Sequence, residues 1–265
     1  MVTPAHLADC SLHGDRTFGR RQRSHWGFAV KPRAPLSLLL VTVALAGATP
    51  AGAAPSNLPF PASLERHVRS LLAESDGDAA GAIAWAESAA TLDSGSSFAL
   101  SRVASLLEAS GKDSAALVQG ERVLALDSLN SEAAMLVARM RFLAGQPGIA
   151  IRVLTPPLRQ PGAIPELFAL RALAHQCNRQ YLAALEDLGH TGPLQPAFEW
   201  VATGILSMAL EDGRLAEARA ALDMAVRLRP NDVRTLTLGL SLAQRTRDTN
   251  LERALERALR ASALP

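Results

Sequence analysis

The chain has 265 residues, of which 48% are hydrophobic and only 4% are aromatic, and its formal net charge is +2. A disordered chain would hold less apolar mass and more net charge, and a collagen-like chain would need more than 18 Gly and 16 Pro. Two cysteines exclude a disulfide-rich scaffold. Abundant Ala and Leu favour helices, because these residues lose little on entering a helix.

The basic charge is concentrated at the N-terminus. Residues 1–53 contain six basic and two acidic residues, whereas residues 54–265 contain 21 basic and 23 acidic ones. A nucleic-acid-binding protein needs a basic surface that neutralises phosphates. The nearly neutral remainder of the chain therefore predicts no nucleic-acid partner.

The N-terminal segment has the order of a secretory signal. Lys31 and Arg33 precede the apolar run 35–48, and small residues follow it. This succession of a positive region, an apolar region and a small-residue cleavage site is typical of signal peptides. We expect cleavage after Ala53, with Ala54 as the second choice, and an exported protein that is periplasmic in a bacterium.

Two alternatives to a cleaved signal remain open at this point. The apolar run has about 14 residues, fewer than the ~20 that span a bilayer, but residues 35–54 could stay uncleaved as an inner-membrane anchor with the rest facing the periplasm. The segment could also be a non-secretory transit or core segment. Because a signal should begin near its start codon, we hypothesise that translation starts at Val30 and that residues 1–29 are not translated.

A 34-residue repeat runs through the rest of the chain. The triplet Leu-Asp-Ser occurs at 92–94 and again at 126–128. A second series with this spacing marks one position of each unit: Gly77, Gly111, Gly145, Arg179, Gly213 and Arg247. Five residues further on stand Ala82, Ala116, Ala150, Ala184 and Ala218, and Glu252 in the last unit. Such a series indicates a repeat architecture.

Each unit has the apolar spacing of two helices. In the fifth unit the apolar periodicity stops at Gly213, resumes from Leu215 and ends before Pro230, which cannot continue a helix. A glycine suits the turn, where positive φ is often needed. The recurring alanine suits a close helix crossing, because a larger side chain would force the helices apart.

This pattern resembles the tetratricopeptide repeat family over about 200 residues. The match is best in the fifth unit, and Tyr181 and Ala184 fit in the fourth. The resemblance implies an all-α fold, an α-solenoid of about six 34-residue helix-turn-helix repeats. We divide the chain into the leader 1–53, a linker 54–62 and a solenoid 63–265, with units at 63–96, 97–130, 131–164, 165–198, 199–232 and 233–265.

Two units depart from the pattern. In the third, Pro156 and Pro157 predict that the second helix ends near Thr155. The last unit lacks the glycine and the alanine, and its second helix has an apolar stripe of Leu251, Ala254, Leu255, Ala258 and Leu259 opposite charged residues. A polar outer face is typical of a helix that caps a solenoid.

The sequence predicts no catalytic residue, no cofactor and no metal site. The histidines after residue 54 have no second metal ligand three or four residues further along the chain. The acidic pairs Asp76/Asp78 and Glu186/Asp187 adjoin helix ends, so we interpret them as solvated capping groups. Neither a phosphate loop nor a hydrolase or metalloprotease motif occurs. An enzyme subunit remains the third functional alternative.

The resemblance implies that first helices line a concave groove that binds a partner. The candidate partner-binding residues are Phe98, Met135, Arg139, Phe142, Leu173, Gln176, Trp200, Thr203 and Ser207, and the wider lining includes Ser101, Ser105, Glu108 and Glu132. Aromatic residues at these positions are either anchors for a partner or ordinary packing between repeats. The sequence thus predicts an exported, non-catalytic scaffold for a peptide or envelope protein, with a membrane-anchored structural component as the alternative.

Overall fold

The computed structural model describes residues 62–191 and 200–262, and every regular element in these ranges is an α-helix. The predicted signal, the start at Val30 and the linker up to residue 61 lie outside the described residues. So do residues 192–199 and 263–265. The described chain divides into two compact units, one with the helices of residues 62–93 and one with all later helices.

Twelve helices follow one another in six pairs within the described ranges. The first three pairs are α1 (Ala62–Ser75) and α2 (Ala79–Leu92), α3 (Ser97–Ala109) and α4 (Asp113–Leu126), and α5 (Ser131–Leu143) and α6 (Pro147–Leu158). The last three are α7 (Pro165–Cys177) and α8 (Tyr181–Gly189), α9 (Val201–Glu211) and α10 (Leu215–Leu228), and α11 (Val233–Thr246) and α12 (Thr249–Ser262). The second helix of each pair begins 34 residues after the previous one.

The turn within each pair has the same backbone conformation in all six units. Gly77, Gly111, Gly145 and Gly213 have φ between 72° and 78°, in the left-handed region. Arg179 and Arg247 have φ of 56° and 57° at the two positions that lack glycine. In each turn the residue after the one with positive φ donates its N–H to the carbonyl five residues before it, as in a Schellman motif. In the fourth pair, for example, Gln180 donates to the His175 carbonyl over 2.9 Å. The motif therefore persists without its usual residue.

Small residues lie where helices approach closely. Ala82, Ala116, Ala150, Ala184 and Ala218 are all fully buried. A Cβ on Gly120 would lie 2.8 Å from Cγ2 of Val137, and one on Gly239 would lie 2.8 Å from Leu222 and 2.9 Å from Leu255. These approaches leave no room for a larger side chain without displacement of a neighbour.

Polar side chains begin several helices. Ser96, Asn130 and Asp232 accept a hydrogen bond from the N–H three residues on, as N-caps do. Asp78 caps α2 in the same way, and its carboxylate accepts the N–H of Gly81 over 2.8 Å. The interpretation of Asp78 as a capping group is confirmed. Pro230 follows the end of α10 at Leu228 by two residues, as predicted.

The prediction that α6 ends near Thr155 is wrong. The helix continues through Pro156 and Pro157 to Leu158. Both prolines occupy its last turn, and their carbonyls still accept N–H bonds from Arg159 and Gln160, each over 3.2 Å. Leu158 is buried in the cluster between α5, α6 and α7. The free energy gained by burying it outweighs the cost of the backbone hydrogen bonds that the two prolines cannot donate.

The third and fourth pairs share a hydrophobic core. It consists of Ala138, Ala150, Leu154, Leu158, Leu167, Leu170 and Ala174. At the C-terminal end, α12 buries Leu255 and leaves Arg253 and Arg257 exposed, which suits the predicted cap. Ala254 is exposed and does not belong to the apolar stripe as predicted. The fold is thus an all-α solenoid of helix-turn-helix repeats.

Candidate partner-binding surface

The first helices of neighbouring pairs contact each other through their side chains. On α3 and α5, the Ser101 hydroxyl lies 3.5 Å from Oε2 of Glu132, and Glu108 forms an ion pair with Arg139. We call the side of α3, α5, α7, α9 and α11 that carries these contacts the first-helix surface. The candidate residues that the sequence predicts lie on α3, α5, α7 and α9, except Trp200, which directly precedes α9.

Two polar contacts divide the surface between α3 and α5. They lie seven residues apart on each helix, which is about 10 Å along the axis. Ser105 and Met135 lie between them and are half-buried. Partial burial lowers the pKa of Arg139, but a guanidinium stays charged at neutral pH. Phe98, one helical turn before Ser101, is 66% exposed, so this part of the surface is open.

Three predicted partner-binding residues are buried instead, and for them the prediction is wrong. Leu173, Gln176 and Thr203 are exposed by only 6%, 1% and 2%. The Gln176 amide donates to Sδ of Met208 over 3.5 Å, and the hydroxyls of Thr203 and Thr235 are 2.7 Å apart. The contact of Gln176 joins α7 to α9, and the contact of Thr203 joins α9 to α11.

The remaining candidates have mixed roles. Met135 and Phe142 are partly buried and pack against the core cluster of the third and fourth pairs. Trp200 immediately precedes α9, and the Arg229 guanidinium lies 3.5 Å from the centroid of its ring. Packing within the chain therefore accounts for Phe142 and Trp200, and for only part of the Met135 surface. Ser207 is half-buried and donates to Oε1 of Glu211 over 3.3 Å.

A polar cluster at the turns joins the fourth and fifth pairs. The Tyr181 hydroxyl donates to Asp212 over 2.7 Å, and Arg179 forms an ion pair with the same carboxylate. Arg214 donates to the Arg179 carbonyl over 2.8 Å and lies over the Tyr181 ring. Burial, followed by the bond to Asp212, raises the pKa of Tyr181. The Tyr181 hydrogen bond is the main cause of the lowered pKa of Asp212.

This cluster was not predicted, although the sequence contains a signal for it. Arg179 occupies a position that is glycine in four of the six units. A non-glycine residue with positive φ is strained, and such strain persists where the surrounding structure compensates for it. Here the compensation is the ion pair with Asp212, 33 residues further along the chain.

The interpretation of Asp187 as a solvated group is wrong. Its carboxylate is 2% exposed and accepts two hydrogen bonds from Arg171, over 2.8 Å and 2.6 Å. Asp187 lies near the end of the short helix α8, directly opposite α7. The two elements therefore pair their charges with each other and not with water, in the bidentate geometry that Arg forms with a carboxylate.

Comparisons with known proteins identify the fold. No family model and no curated protein matches the chain. Among solved structures, YrrB, a TPR protein with an unusual peptide-binding site, superposes with a TM-score of 0.54 at 15% identity, over 66% of this chain and 90% of YrrB. MamA superposes with a TM-score of 0.53 at 16% identity, over 64% and 92%.

A third similar structure covers more of the chain. A tetratricopeptide repeat protein from Parabacteroides merdae superposes with a TM-score of 0.51 at 15% identity, over 78% of this chain and 82% of that protein. The fold of this chain is therefore the TPR-like fold that the sequence predicts.

The described residues show neither a metal-binding cluster nor a helix that could span a membrane. Within residues 62–191 and 200–262, no three His, Cys, Asp or Glu side chains come together in a way that could hold a metal ion. None of the helices in these same ranges is both long enough and apolar enough to cross a membrane.

Proposed function

We propose that this protein is an exported, non-catalytic scaffold that binds a peptide or protein segment on its first-helix surface. The observation that carries the proposal is the open surface between α3 and α5. Phe98 is largely exposed there, and Ser105 and Met135 lie between two polar contacts. An exposed aromatic beside hydrogen-bonding groups is typical of interfaces, where aromatic side chains dominate the binding energy.

The fold supports a binding role over catalysis. Stacked helix pairs present extended surfaces, and repeat proteins use them to bind partners. YrrB, which has the same fold, has a peptide-binding site. The surface of this chain differs along its length, because α7, α9 and α11 are closed by their own side chains. We therefore place the partner at α3 and α5, the part of the surface that is still accessible.

A blocking substitution tests the binding site. Ser105→Arg puts a long charged side chain between the two polar contacts, and Val118→Arg is the control at an exposed position of α4. Wild type and Val118→Arg should capture the same partner from an envelope fraction, and Ser105→Arg should lose it while its helicity by circular dichroism is unchanged. Equal capture by both variants would contradict a site between α3 and α5.

The N-terminal segment supports export and gives a second test. Residues 31–54 have the order of a secretory signal, and N-terminal sequencing of the protein from its native host should find Ala54 or Pro55 as the first residue. A product that retains residues 35–54 would instead support the membrane-anchored alternative. This result is independent of the binding experiment.

A further inference from the structure

One position of the repeat carries side chains that attract cations. Residues 98, 132, 166 and 200 are spaced by 34 residues, and they are Phe98, Glu132, Glu166 and Trp200. The first three lie in the first turn of α3, α5 and α7, and Trp200 directly precedes α9. The row thus contains two carboxylates between two aromatic rings. Both kinds of group interact favourably with a positive charge.

The protein already places a cation on one of these rings. The guanidinium of Arg229 is 3.5 Å from the centre of the Trp200 ring, within the range of a cation–π contact. Arg229 directly follows α10, so this cation comes from the protein and not from a partner. The Trp200 ring is therefore already covered by a cation of the same chain, and it shows that an aromatic ring at this repeat position can bind a guanidinium.

The other end of the row is accessible. Phe98 is 66% exposed, and Glu132 is also exposed. The Glu132 carboxylate accepts a long hydrogen bond from the Ser101 hydroxyl, over 3.5 Å, and no ion pair to Glu132 is seen among the described residues. Glu108, seven residues after Ser101 on the same helix, differs in that it pairs with Arg139.

Phe98 and Glu132 lie on adjoining parts of the surface. Phe98 is one turn before Ser101 on α3, and Ser101 reaches across to Glu132 on α5. A cation held here would meet the ring on one side and the carboxylate on the other. An apolar side chain would desolvate Glu132 without compensation, and an acidic one would be repelled.

We propose that Phe98 and Glu132 form a subsite for a basic side chain of the bound segment. The subsite rests on the proposed function and adds the chemistry of the partner to it. Arg suits the site better than Lys, because its planar guanidinium can stack on the Phe98 ring while it donates to Glu132. The bound segment is therefore expected to carry an Arg, or a Lys, next to the residues that cover Met135.

Selection from a displayed library of random peptides tests the subsite with the full-length exported protein. Peptides selected by the wild type should share a basic residue at one position. Glu132→Gln removes the charge with little change in shape, Phe98→Leu removes the ring face, and Glu256→Gln on α12 is the charge-matched control. Circular dichroism should show the same helicity for all four proteins, because all three sites are at the surface.

Binding of a synthetic selected peptide then separates direct contact from a general charge effect. We expect roughly tenfold weaker binding with Glu132→Gln and a smaller loss with Phe98→Leu, but none with Glu256→Gln. Replacement of the peptide's Arg by citrulline should weaken binding to the wild type by the same factor and have little further effect on Glu132→Gln, because the two changes remove one interaction.

The outcomes distinguish the two proposals. Selected peptides without a shared basic residue, or additive effects of citrulline and Glu132→Gln, would overturn the subsite and leave peptide binding intact. A wild-type protein that selects no peptide would overturn both the subsite and the proposed peptide-binding function.

Discussion

The front part of the larger unit, α3 to α6, and the back part, α7 to α12, use equivalent positions of the repeat for different purposes. In the front, the contacts between first helices are the weak Ser101–Glu132 bond and a partly exposed ion pair. In the back, Gln176, Thr203 and Thr235 are buried in contacts between helices. A repeat position thus has no fixed role. Its role depends on which side chains of the neighbouring pair meet it.

The ion pairs of the two parts should differ most in their contribution to stability. Asp187→Ala leaves Arg171 without its buried partner and should lower the free energy of unfolding by about 3–5 kcal/mol. Glu108→Ala, which breaks the partly exposed pair with Arg139, should lower it by at most about 1 kcal/mol. Urea denaturation followed by circular dichroism measures both, and equal losses would refute the contrast between front and back.

Close backbone packing, on the other hand, should contribute equally in the two parts. Gly120→Ala in the front and Gly239→Ala in the back each push a methyl group against two side chains and should cost about 1–2 kcal/mol. The control is Gly148→Ala in α6, where a Cβ meets nothing within 4 Å, and which should be neutral or stabilising. A cost at only one of the two crossings would show that the pairs pack differently.

The polar cluster around Tyr181 and Asp212 should contribute less to the free energy of unfolding than the close helix crossings, and its contribution should depend on pH. Tyr181→Phe removes the hydroxyl bonded to Asp212 and should cost about 1 kcal/mol near neutral pH. Because folding raises the pKa of Tyr181, its contribution is complete below the unfolded value of about 10 and is lost above it. The melting temperature of the wild type should therefore fall at alkaline pH more than that of Tyr181→Phe.

In acid, the pH dependence of stability that the same cluster causes has the opposite sign, because it comes from Asp212. Folding lowers the pKa of Asp212, so its contribution is present above the unfolded value of about 4 and is lost as the pH falls through the folded value. Asp212→Asn should reduce the loss of melting temperature in acid. Tyr181 is the only tyrosine, so its ultraviolet absorbance reports ionisation of this one group. Ionisation of the folded protein near pH 10 would contradict the hydrogen bond.

The smallest expected effect concerns the two arginines with positive φ. Arg247→Gly should stabilise the protein by about 0.5–1 kcal/mol, because glycine adopts φ near 57° without strain. Arg179→Gly should stabilise less or not at all, because it also removes the ion pair with Asp212. Thermal unfolding of the two variants measures this difference, and an equal gain would mean that the ion pair contributes nothing.

The fold could be predicted because its constraints are local to each repeat. The glycine at the turn and the buried alanine five residues later set the spacing of the helix pairs. Even Arg179 keeps the left-handed turn, since the flanking helices and the carbonyl bonds determine the backbone there. Tertiary packing overrode the predicted helix boundary at the end of α6, where Leu158 is buried beyond two prolines.

The candidate site could be predicted only in part. The spacing predicts candidates on or next to the first helices, but it does not indicate which of them are accessible. Gln176 and Thr203 are buried because Met208 and Thr235 come from the next pair and meet them. Such a contact depends on residues more than 30 positions away, and helical periodicity within one pair contains no information about it.

The left-handed turns have a consequence for limited proteolysis. Trypsin cleaves after Arg and Lys, and proteases need an extended backbone around the bond they cut, which a tight turn does not offer. Arg179 and Arg247 are exposed at the turns, but each is held between two helices by backbone hydrogen bonds. Cleavage at these arginines therefore requires the local helix pair to open. The rate of tryptic cutting at each would report how often the fourth and the sixth pairs open in the native protein.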